Sequence, residues 1–161
     1  MPVPRYFPRR RSGVASRART LGVLTAVLVV TSMAAVAAAA ATRTLLTGKA
    51  TVNGKSKTVV VDSHGLTLYT LSGESARHLK CASTRCFTAW PPYKVSAAAK
   101  LTTTPSVKGR IGRLHRVSDR FYQVTLNGHP LYTFVGDARK KGSGKGQGIT
   151  AFGGTWHTVS P

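Results

Sequence analysis

Residues 65–74 read GLTLYTLSGE and residues 128–137 read GHPLYTFVGD, so one pattern occurs twice in this chain. In both copies a glycine lies four residues before a tyrosine, an apolar or aromatic residue two after it and an acid five after it. A tryptophan follows each acid, Trp90 sixteen residues after the first and Trp156 nineteen residues after the second. Identical spacing in two copies indicates an internal repeat.

Strand patterns surround the first copy. Residues 58–61 read TVVV, residues 62–65 form a turn cluster, and residues 66–71 alternate between apolar and polar or aromatic side chains. Alternation with a period of two is typical of a strand with one buried face. These segments predict a β-hairpin in the first copy.

The second copy carries the same signals. Residues 121–126 alternate, Asn127-Gly128 is a favoured two-residue hairpin turn, and residues 129–135 are predicted as the returning strand. We also predict strands over residues 111–117 and 155–159.

These patterns predict an all-β fold, a small domain of two related hairpin repeats preceded by an N-terminal signal or anchor helix. We expect a signal peptide or membrane anchor over residues 1–41, a linker over 42–57 and a two-repeat β domain over 58–161. The first repeat is placed at about 58–95 and the second at about 120–161. The apolar faces of the hairpins are expected to stack, because neither hairpin can bury its own face alone.

Two further segments have local predictions. Residues 140–148 read KKGSGKGQG, which predicts a flexible loop without a core residue. Residues 97–100 read AAAK, which predicts one helical turn that Pro105 limits.

The N-terminus has the form of an export signal. Residues 1–20 carry six arginines and no acid, and residues 21–41 carry no charge. A basic, an apolar and a small-residue stretch in this order are typical of a secretory signal. The alternative is an uncleaved anchor, since 21 residues at about 1.5 Å each just span the roughly 30 Å bilayer core. In both cases the rest of the chain lies outside the cytoplasmic membrane, and an uncleaved chain is expected to contact the membrane only through residues 21–41.

The charge of the chain is strongly one-sided. Its 161 residues include 24 Lys+Arg and 4 Asp+Glu, a formal net charge of +20, which excludes an acidic disordered chain and a coiled coil. Residues 42–161 keep 18 basic and all 4 acidic residues, a net +14. Outside the cell this charge favours anionic envelope components as partners, whereas the compartment and the lack of a recognition motif argue against nucleic acid. Two dense basic patches are predicted, one at Arg110, Arg113, Arg116 and Arg120, the other at Arg139, Lys140, Lys141 and Lys145.

Cys81 and Cys86 are the two cysteines of the chain. An even number of cysteines in an exported chain favours a disulfide. The bond would close a short loop, so we expect it to fix a local turn and to contribute less than the typical stabilisation of about 2–4 kcal/mol. Reactive or metal-binding thiols are the alternative.

The two copies resemble a bacterial family of secreted or lipoprotein repeats named for the motif Tyr-x-(Phe/Trp/Tyr)-x-x-Asp. The second copy, residues 132–137, fits this motif in full, and the first, residues 69–74, is a degenerate form. The resemblance covers about residues 58–161 and implies an exported repeat of unknown function. Many members are lipid-anchored, but this chain lacks the cysteine that would be acylated. The flanks that match are Cys81, Cys86, Trp90-Pro91-Pro92, residues 123–132, Gly146-Gln147-Gly148 and Trp156.

The repeated aromatic and acidic positions are the candidate site. In each copy the tyrosine and the residue two after it share one face of a strand, and the acid follows the strand end. There the acid could accept bonds from turn N–H groups or from a tyrosine O–H; the alternative is a ligand or ion site built from two pseudo-symmetric copies. The candidate residues are Tyr69, Glu74, Trp90, Tyr132, Phe134, Asp137 and Trp156.

We predict neither a cofactor nor a metal ion. No pair of the five histidines has the spacing of a compact metal site, so we interpret them as solvent-facing. G-x-S-x-G, H-E-x-x-H and Walker patterns are absent from the sequence, so we do not expect an enzyme. The expected function is an exported cell-envelope or extracellular module of unknown ligand. The alternatives are a small metal- or haem-associated redox protein, a cell-wall-active enzyme and a basic polyanion-binding envelope protein.

Overall fold

The computed structural model describes residues 43–161. The signal or anchor predicted over residues 1–41 lies outside the described residues. Within residues 43–161, none of the helices has the length and apolar character needed to cross a membrane.

Antiparallel strands dominate this part of the chain, which confirms the prediction of a mostly-β fold. The strands are β1 (Leu46–Val52), β2 (Lys55–Val61), β3 (Tyr69–Leu71), β4 (Lys94–Val95), β5 (Ile111–Arg116), β6 (Phe121–Leu126), β7 (His129–Pro130), β8 (Thr150–Ala151) and β9 (Gly154–Thr158). A short helix, α1, spans Thr84–Ala89, and a 3-10 turn spans Val135–Asp137. The strands form a β1–β2 hairpin, a β3-β9-β8 sheet and a β4-β6-β5 sheet in which β7 also pairs with β6.

The predicted linker at residues 42–57 is instead largely strand. β1 and β2 pair along their whole length, from Leu46–Val61 to Val52–Lys55. Asn53 and Gly54 have φ angles of 51° and 73°, the left-handed pair that a tight hairpin turn requires. Ala50 and Val52 are buried, so β1 contributes to the core.

The hairpin predicted between residues 58–61 and 66–71 is present only in part. An antiparallel bridge joins Val61 to Thr67, and Leu68 N donates to Val60 O at 3.1 Å. Beyond Leu68 the chain leaves β2, and β3 pairs with β9 instead. The predicted strand therefore belongs to a sheet that includes the C-terminal end of the chain.

The strands predicted over residues 111–117 and 121–126 are present, and β6 pairs with the returning strand β7 through Thr125–Pro130 and Leu126–His129 as predicted. β5 and β6 pair from Ile111–Leu126 to Arg116–Phe121. Asn127 and Gly128 form a tight turn, with φ angles of 52° and 79°. The returning strand is shorter than predicted, because β7 ends at Pro130 and a 3-10 turn begins at Val135.

Two local predictions were wrong. Residues 97–100 form no helix: Ala99 N donates to Ser96 O at 3.2 Å in a single turn, and the Arg113 guanidinium donates to the Ala97 and Ala99 carbonyls. Residues 140–148 are a loop, but its small residues Ser143, Gly144 and Gly146 are buried in the molecule. This loop therefore contributes to the core.

The C-terminal strand of the second repeat lies on the first repeat. β9 pairs with β3 through Tyr69–Thr158, Thr70–His157 and Leu71–Trp156. Beyond it, Val159 N donates to Leu68 O at 3.0 Å, and Val159 O accepts from Val60 N at 2.8 Å.

The corresponding segment of the first repeat lies on the second repeat in the same manner. Tyr93 N donates to Leu131 O at 2.9 Å, and Tyr93 O accepts from Val124 N at 2.9 Å. Val159 and Tyr93 each lie three residues after their tryptophan, so the two arrangements are equivalent. The repeats therefore exchange their tryptophan-bearing segments across an approximate two-fold axis.

Buried apolar side chains form three clusters. The first includes Leu45, Val60, Leu68, Val124 and Leu131, and the second includes Tyr69, Tyr132, Trp90, Trp156 and the two cysteines. The third is formed by Ala50, Val52, Val59 and Val61 of the N-terminal hairpin. Residues of both repeats occur in the first two clusters, so the two repeats share these parts of the core.

Candidate functional site

The two motif tyrosines lie at the centre of the molecule and pair with each other. Tyr69 N donates to Tyr132 O at 2.8 Å, and Tyr132 N donates to Tyr69 O at 3.0 Å. Both residues are fully buried. The motif thus brings the two repeats together through its own backbone.

The side chains of the motif cross between the repeats. The Tyr69 hydroxyl donates to Asp137 Oδ2 at 2.7 Å, and the Tyr132 hydroxyl donates to Glu74 Oε1 at 3.2 Å. Each tyrosine therefore binds the acid of the other repeat. This exchange is not visible in the linear spacing, which places each acid five residues after the tyrosine of its own copy.

Asp137 is held by its own loop as well as by Tyr69. Its Oδ1 accepts from the Ser143 hydroxyl and from Lys145 N at 3.0 Å. Gly146 N donates to the Tyr69 hydroxyl oxygen at 3.2 Å. The buried carboxylate and the tyrosine hydroxyl together fix the course of residues 143–146.

Glu74 has the equivalent role in the first repeat. Its Oε1 accepts from Lys80 N at 3.0 Å and from Cys81 N at 2.9 Å. The side chain is almost fully buried. Both acids thus bind turn N–H groups and a tyrosine O–H.

Arg116 supplies a buried positive charge beside Glu74. Its guanidinium donates to Tyr132 Oη, to Cys81 O at 2.9 Å and to Gln123 Oε1 at 2.8 Å. It lies 4.0 Å from Glu74 Oε1. Arg116 is therefore buried and does not belong to the exposed basic patch predicted around residues 110–120.

Gln123 and Arg116 were not among the predicted site residues. Gln123 is fully buried and donates from its side-chain amide to Leu131 O at 2.8 Å. The alternation of apolar and polar residues on β5 and β6 does not predict their burial, because a polar side chain in such a pattern is expected to face solvent.

Burial changes the acidity of both tyrosines. Desolvation raises the pKa of Tyr69 well above its usual value, and the hydrogen bond to Asp137 raises it further. Desolvation also raises the pKa of Tyr132, followed by the charge of Glu74, while Arg116 acts in the opposite direction. Both hydroxyls therefore remain protonated donors over the ordinary pH range.

The aromatic residues of the site form one stack. The Trp90 and Trp156 rings lie 3.9 Å apart at an angle of 4°, and Phe134 stacks on Trp90 at 4.2 Å. Tyr69 meets Trp90 edge to face at 5.4 Å, and Tyr132 meets Trp156 in the same way at 5.1 Å. The two repeats thus contribute matching tyrosine–tryptophan pairs to one cluster.

Cys81 and Cys86 form a disulfide, and both residues are fully buried. The loop that it closes contains the start of α1, whose first turn is capped by the Ser83 hydroxyl accepting from Cys86 N at 3.2 Å. The bond therefore holds a short helix beside Trp156 and the other aromatic residues.

The structure brings all seven predicted site residues together, and the additional participants are Arg116, Gln123, Ser143 and Gly146. All five histidines are exposed. Within residues 43–161 there is no group of three or more His, Cys, Asp or Glu side chains placed to hold a metal ion.

The fold and the site define a class of protein, a two-repeat β module with exchanged segments around a buried tyrosine–acid core. A family model described as a secreted repeat of unknown function matches residues 121–160, which is the second repeat. Comparisons with curated proteins and with solved structures give no significant match.

Proposed function

We propose that this chain is an exported, non-enzymatic module of the cell envelope or extracellular space that binds anionic polymers through a basic surface. Export is supported by the match of residues 121–160 to a secreted repeat. The Cys81–Cys86 disulfide fits an oxidising compartment outside the cytoplasm. A binding role is supported by the charge distribution.

Three of the four acidic residues within residues 43–161 are buried. Asp62, Glu74 and Asp137 are buried, at 4%, 1% and 7% exposure, and Asp119 is exposed. Each buried carboxylate accepts internal hydrogen bonds; Asp62 Oδ1, for example, accepts from His64 N and Leu66 N. Burial of the acids leaves the surface more basic than the composition indicates.

The basic residues have the opposite placement. Of the 18 Lys and Arg within residues 43–161, Arg116 is buried, Lys80 is half-buried and the other 16 are exposed. Exposed basic residues of one sign produce a positive potential that attracts polyanions and increases their rate of association. This separation of charge, acids inside and bases outside, is the observation that carries the proposal.

A non-enzymatic role is supported by the state of the reactive groups. Both cysteines are in the disulfide, and each motif carboxylate accepts hydrogen bonds from internal donors. Among the described residues, Glu74 Oε2 is buried without a hydrogen-bond partner. We therefore interpret the motif as a scaffold and the surface as the functional part.

The experiment is a salt titration of polymer binding. We expect the purified protein to bind fluorescently labelled polyphosphate and poly-γ-glutamate at low salt. It should release both as the ionic strength rises towards 1 M, where the Debye length shortens to about 3 Å. Neutral dextran is the control polymer. A triple variant, Lys140→Gln, Lys141→Gln and Lys145→Gln, should bind more weakly than the wild type. Binding that persists unchanged at high salt, or no binding at low salt, would contradict the proposal.

A further inference from the structure

A cavity of about 430 Å³ opens beside the second motif. This volume lies within the range of small-molecule sites, roughly 300–1,000 Å³. The cavity lies between the repeats, with Leu66, Thr67 and Pro91 from the first and residues 133–140 from the second.

The apolar part of the cavity is rigid. Phe134 lines it, stacks on Trp90 at 4.2 Å and meets Tyr69 edge to face at 6.3 Å. Val135 is 59% exposed at its edge. Leu66 and Pro91 complete a surface suited to an aromatic or aliphatic group.

The charged part of the cavity is positive. Arg139 and Lys140 line it and are exposed. Asp137, the acid of the lining, is buried and already accepts from Tyr69, Ser143 and Lys145. A ligand at this position therefore meets two exposed cations and a carboxylate whose oxygens already accept hydrogen bonds from the protein.

A second cleft, of about 330 Å³, shares two corresponding repeat positions with the first. Thr133 lines the first and Thr70 the second, and each directly follows a motif tyrosine. Leu66 in the first corresponds to His129 in the second, since each directly follows a motif glycine. The second cleft has a more polar lining, and of these two clefts only the first combines an aromatic floor with paired cations.

We propose that the cavity beside Phe134 binds a small organic anion that carries an aromatic or acyl group. The apolar group lies against Phe134, Val135 and Leu66, and the anionic group lies at Arg139 and Lys140. This site goes beyond the proposed polyanion binding and does not depend on it, because it requires an apolar group that a simple polyanion lacks.

The test compares two probes with the full-length protein. 8-Anilinonaphthalene-1-sulfonate carries an aromatic system and a sulfonate, and N-phenyl-1-naphthylamine is the same ring system without the anion. We expect saturable 1:1 binding of the sulfonate, with quenching of tryptophan fluorescence because Phe134 stacks on Trp90. The neutral probe should bind about tenfold more weakly, the loss expected for removal of a charge-assisted contact.

Variants locate the binding site. Val135→Asp should abolish binding of the sulfonate, and the double variant Arg139→Gln and Lys140→Gln should weaken it about tenfold while leaving the neutral probe unaffected. The matched control is Arg77→Gln, since Arg77 follows Glu74 by three residues as Lys140 follows Asp137, and it should leave binding unchanged. All of these side chains are exposed, so circular dichroism should show native folds.

The proposal is overturned by an absence of saturable binding of the sulfonate, by equal binding of the two probes, or by unchanged binding to Val135→Asp. Weakening of polyphosphate binding alone, without an effect on the sulfonate, would also count against this site while leaving the proposed function intact.

Discussion

The tyrosine hydroxyls are the residue-scale feature on which the structure depends most. Tyr69 donates to a buried carboxylate and accepts from a backbone N–H, so its hydroxyl satisfies two groups that have lost water. A buried polar group that loses its partner costs about 1–3 kcal/mol. Removal of this single oxygen should therefore lower the free energy of unfolding of the whole molecule.

Tyr69→Phe is expected to lower the free energy of unfolding by about 1–3 kcal/mol, because Asp137 and Gly146 N each lose a partner. Tyr122→Phe is the control, since Tyr122 is a half-buried residue on β6 outside the motif, and it should change stability by less than about 0.5 kcal/mol. Urea unfolding measures both variants. Equal effects of the two substitutions would contradict this role for the motif hydroxyl.

Alkaline pH should destabilise the fold through the same hydroxyls. In the unfolded chain tyrosine ionises near pH 10, whereas burial raises the pKa of Tyr69 and Tyr132 in the folded chain. The folded state thus retains protons that the unfolded state loses, so stability is complete below about pH 10 and falls as the pH rises further. Each tyrosine should lower the folding equilibrium constant by about tenfold per pH unit in that range.

Urea midpoints between about pH 8 and pH 11 measure this effect. Tyr132→Phe should reduce the slope above pH 10 by about half, because one of the two linked protons is removed. Lysine titration is common to both proteins and cancels in the comparison. A slope that is the same in wild type and variant would show that the tyrosines are not the linked groups.

The sequence predicted the residues of the site better than their pairing. Repeat spacing was sufficient to select the seven aromatic and acidic positions, because duplicated motifs mark structurally constrained residues. It could not show that Tyr69 binds Asp137 rather than Glu74, since that choice is made by contacts between residues 68 positions apart. Arg116 and Gln123 were missed because buried polar residues resemble surface residues in a hydropathy pattern.

At the scale of elements, loop 140–148 shows how a segment without large side chains can belong to a core. A Cβ added at Gly146 would lie 2.8 Å from ring atoms of both Trp90 and Tyr69. Only a glycine allows this backbone to approach the aromatic stack. The composition of the loop was interpreted as flexibility, whereas its glycines provide close packing.

Gly146→Ala is expected to destabilise the protein by about 1–3 kcal/mol through overpacking against two rings that cannot move. Gly112→Ala on β5 is the control, because its added Cβ meets the Thr125 hydroxyl, which can rotate away. Thermal unfolding with tryptophan fluorescence as the probe compares the two. A tolerated alanine at position 146 would mean that the loop is not held against the stack.

The strands were predictable to the extent that their turns were recognised. Asn127-Gly128 predicts the β6–β7 turn correctly. Asn53-Gly54 carries the same turn signal, but it lies in a segment whose composition predicts a linker. The pairing of β3 with β9 joins residues about 88 positions apart in the chain and has no local signature. Element type follows from local pattern, whereas sheet partners depend on the exchange between repeats.

At the scale of the whole molecule, the exchange makes the two repeats one folding unit. Tyr93 and Trp90 of the first repeat contact the second, and Trp156 and Val159 of the second contact the first. Contacts between distant parts of the chain must therefore form together. A single repeat exposes part of each of the two clusters that the repeats share.

Separation of the repeats should abolish the fold of each half. A fragment of residues 111–161, which contains the whole family match, is expected to show no cooperative unfolding transition, because it lacks Trp90, Tyr69 and Glu74. Mixing it with a fragment that ends at residue 110 should restore cooperative unfolding and near-ultraviolet dichroism from the stacked indoles. Autonomous folding of the 111–161 fragment would contradict the exchange of segments.

The most direct test of the account is a pair of double-mutant cycles on the crossed hydrogen bonds. Tyr69→Phe combined with Asp137→Asn should show a coupling energy of about 1 kcal/mol or more, because the two side chains are in contact. Tyr69→Phe combined with Glu74→Gln should be additive within about 0.5 kcal/mol, although these residues belong to the same motif copy. Coupling of Tyr69 to Glu74, with none to Asp137, would contradict the exchange between the repeats.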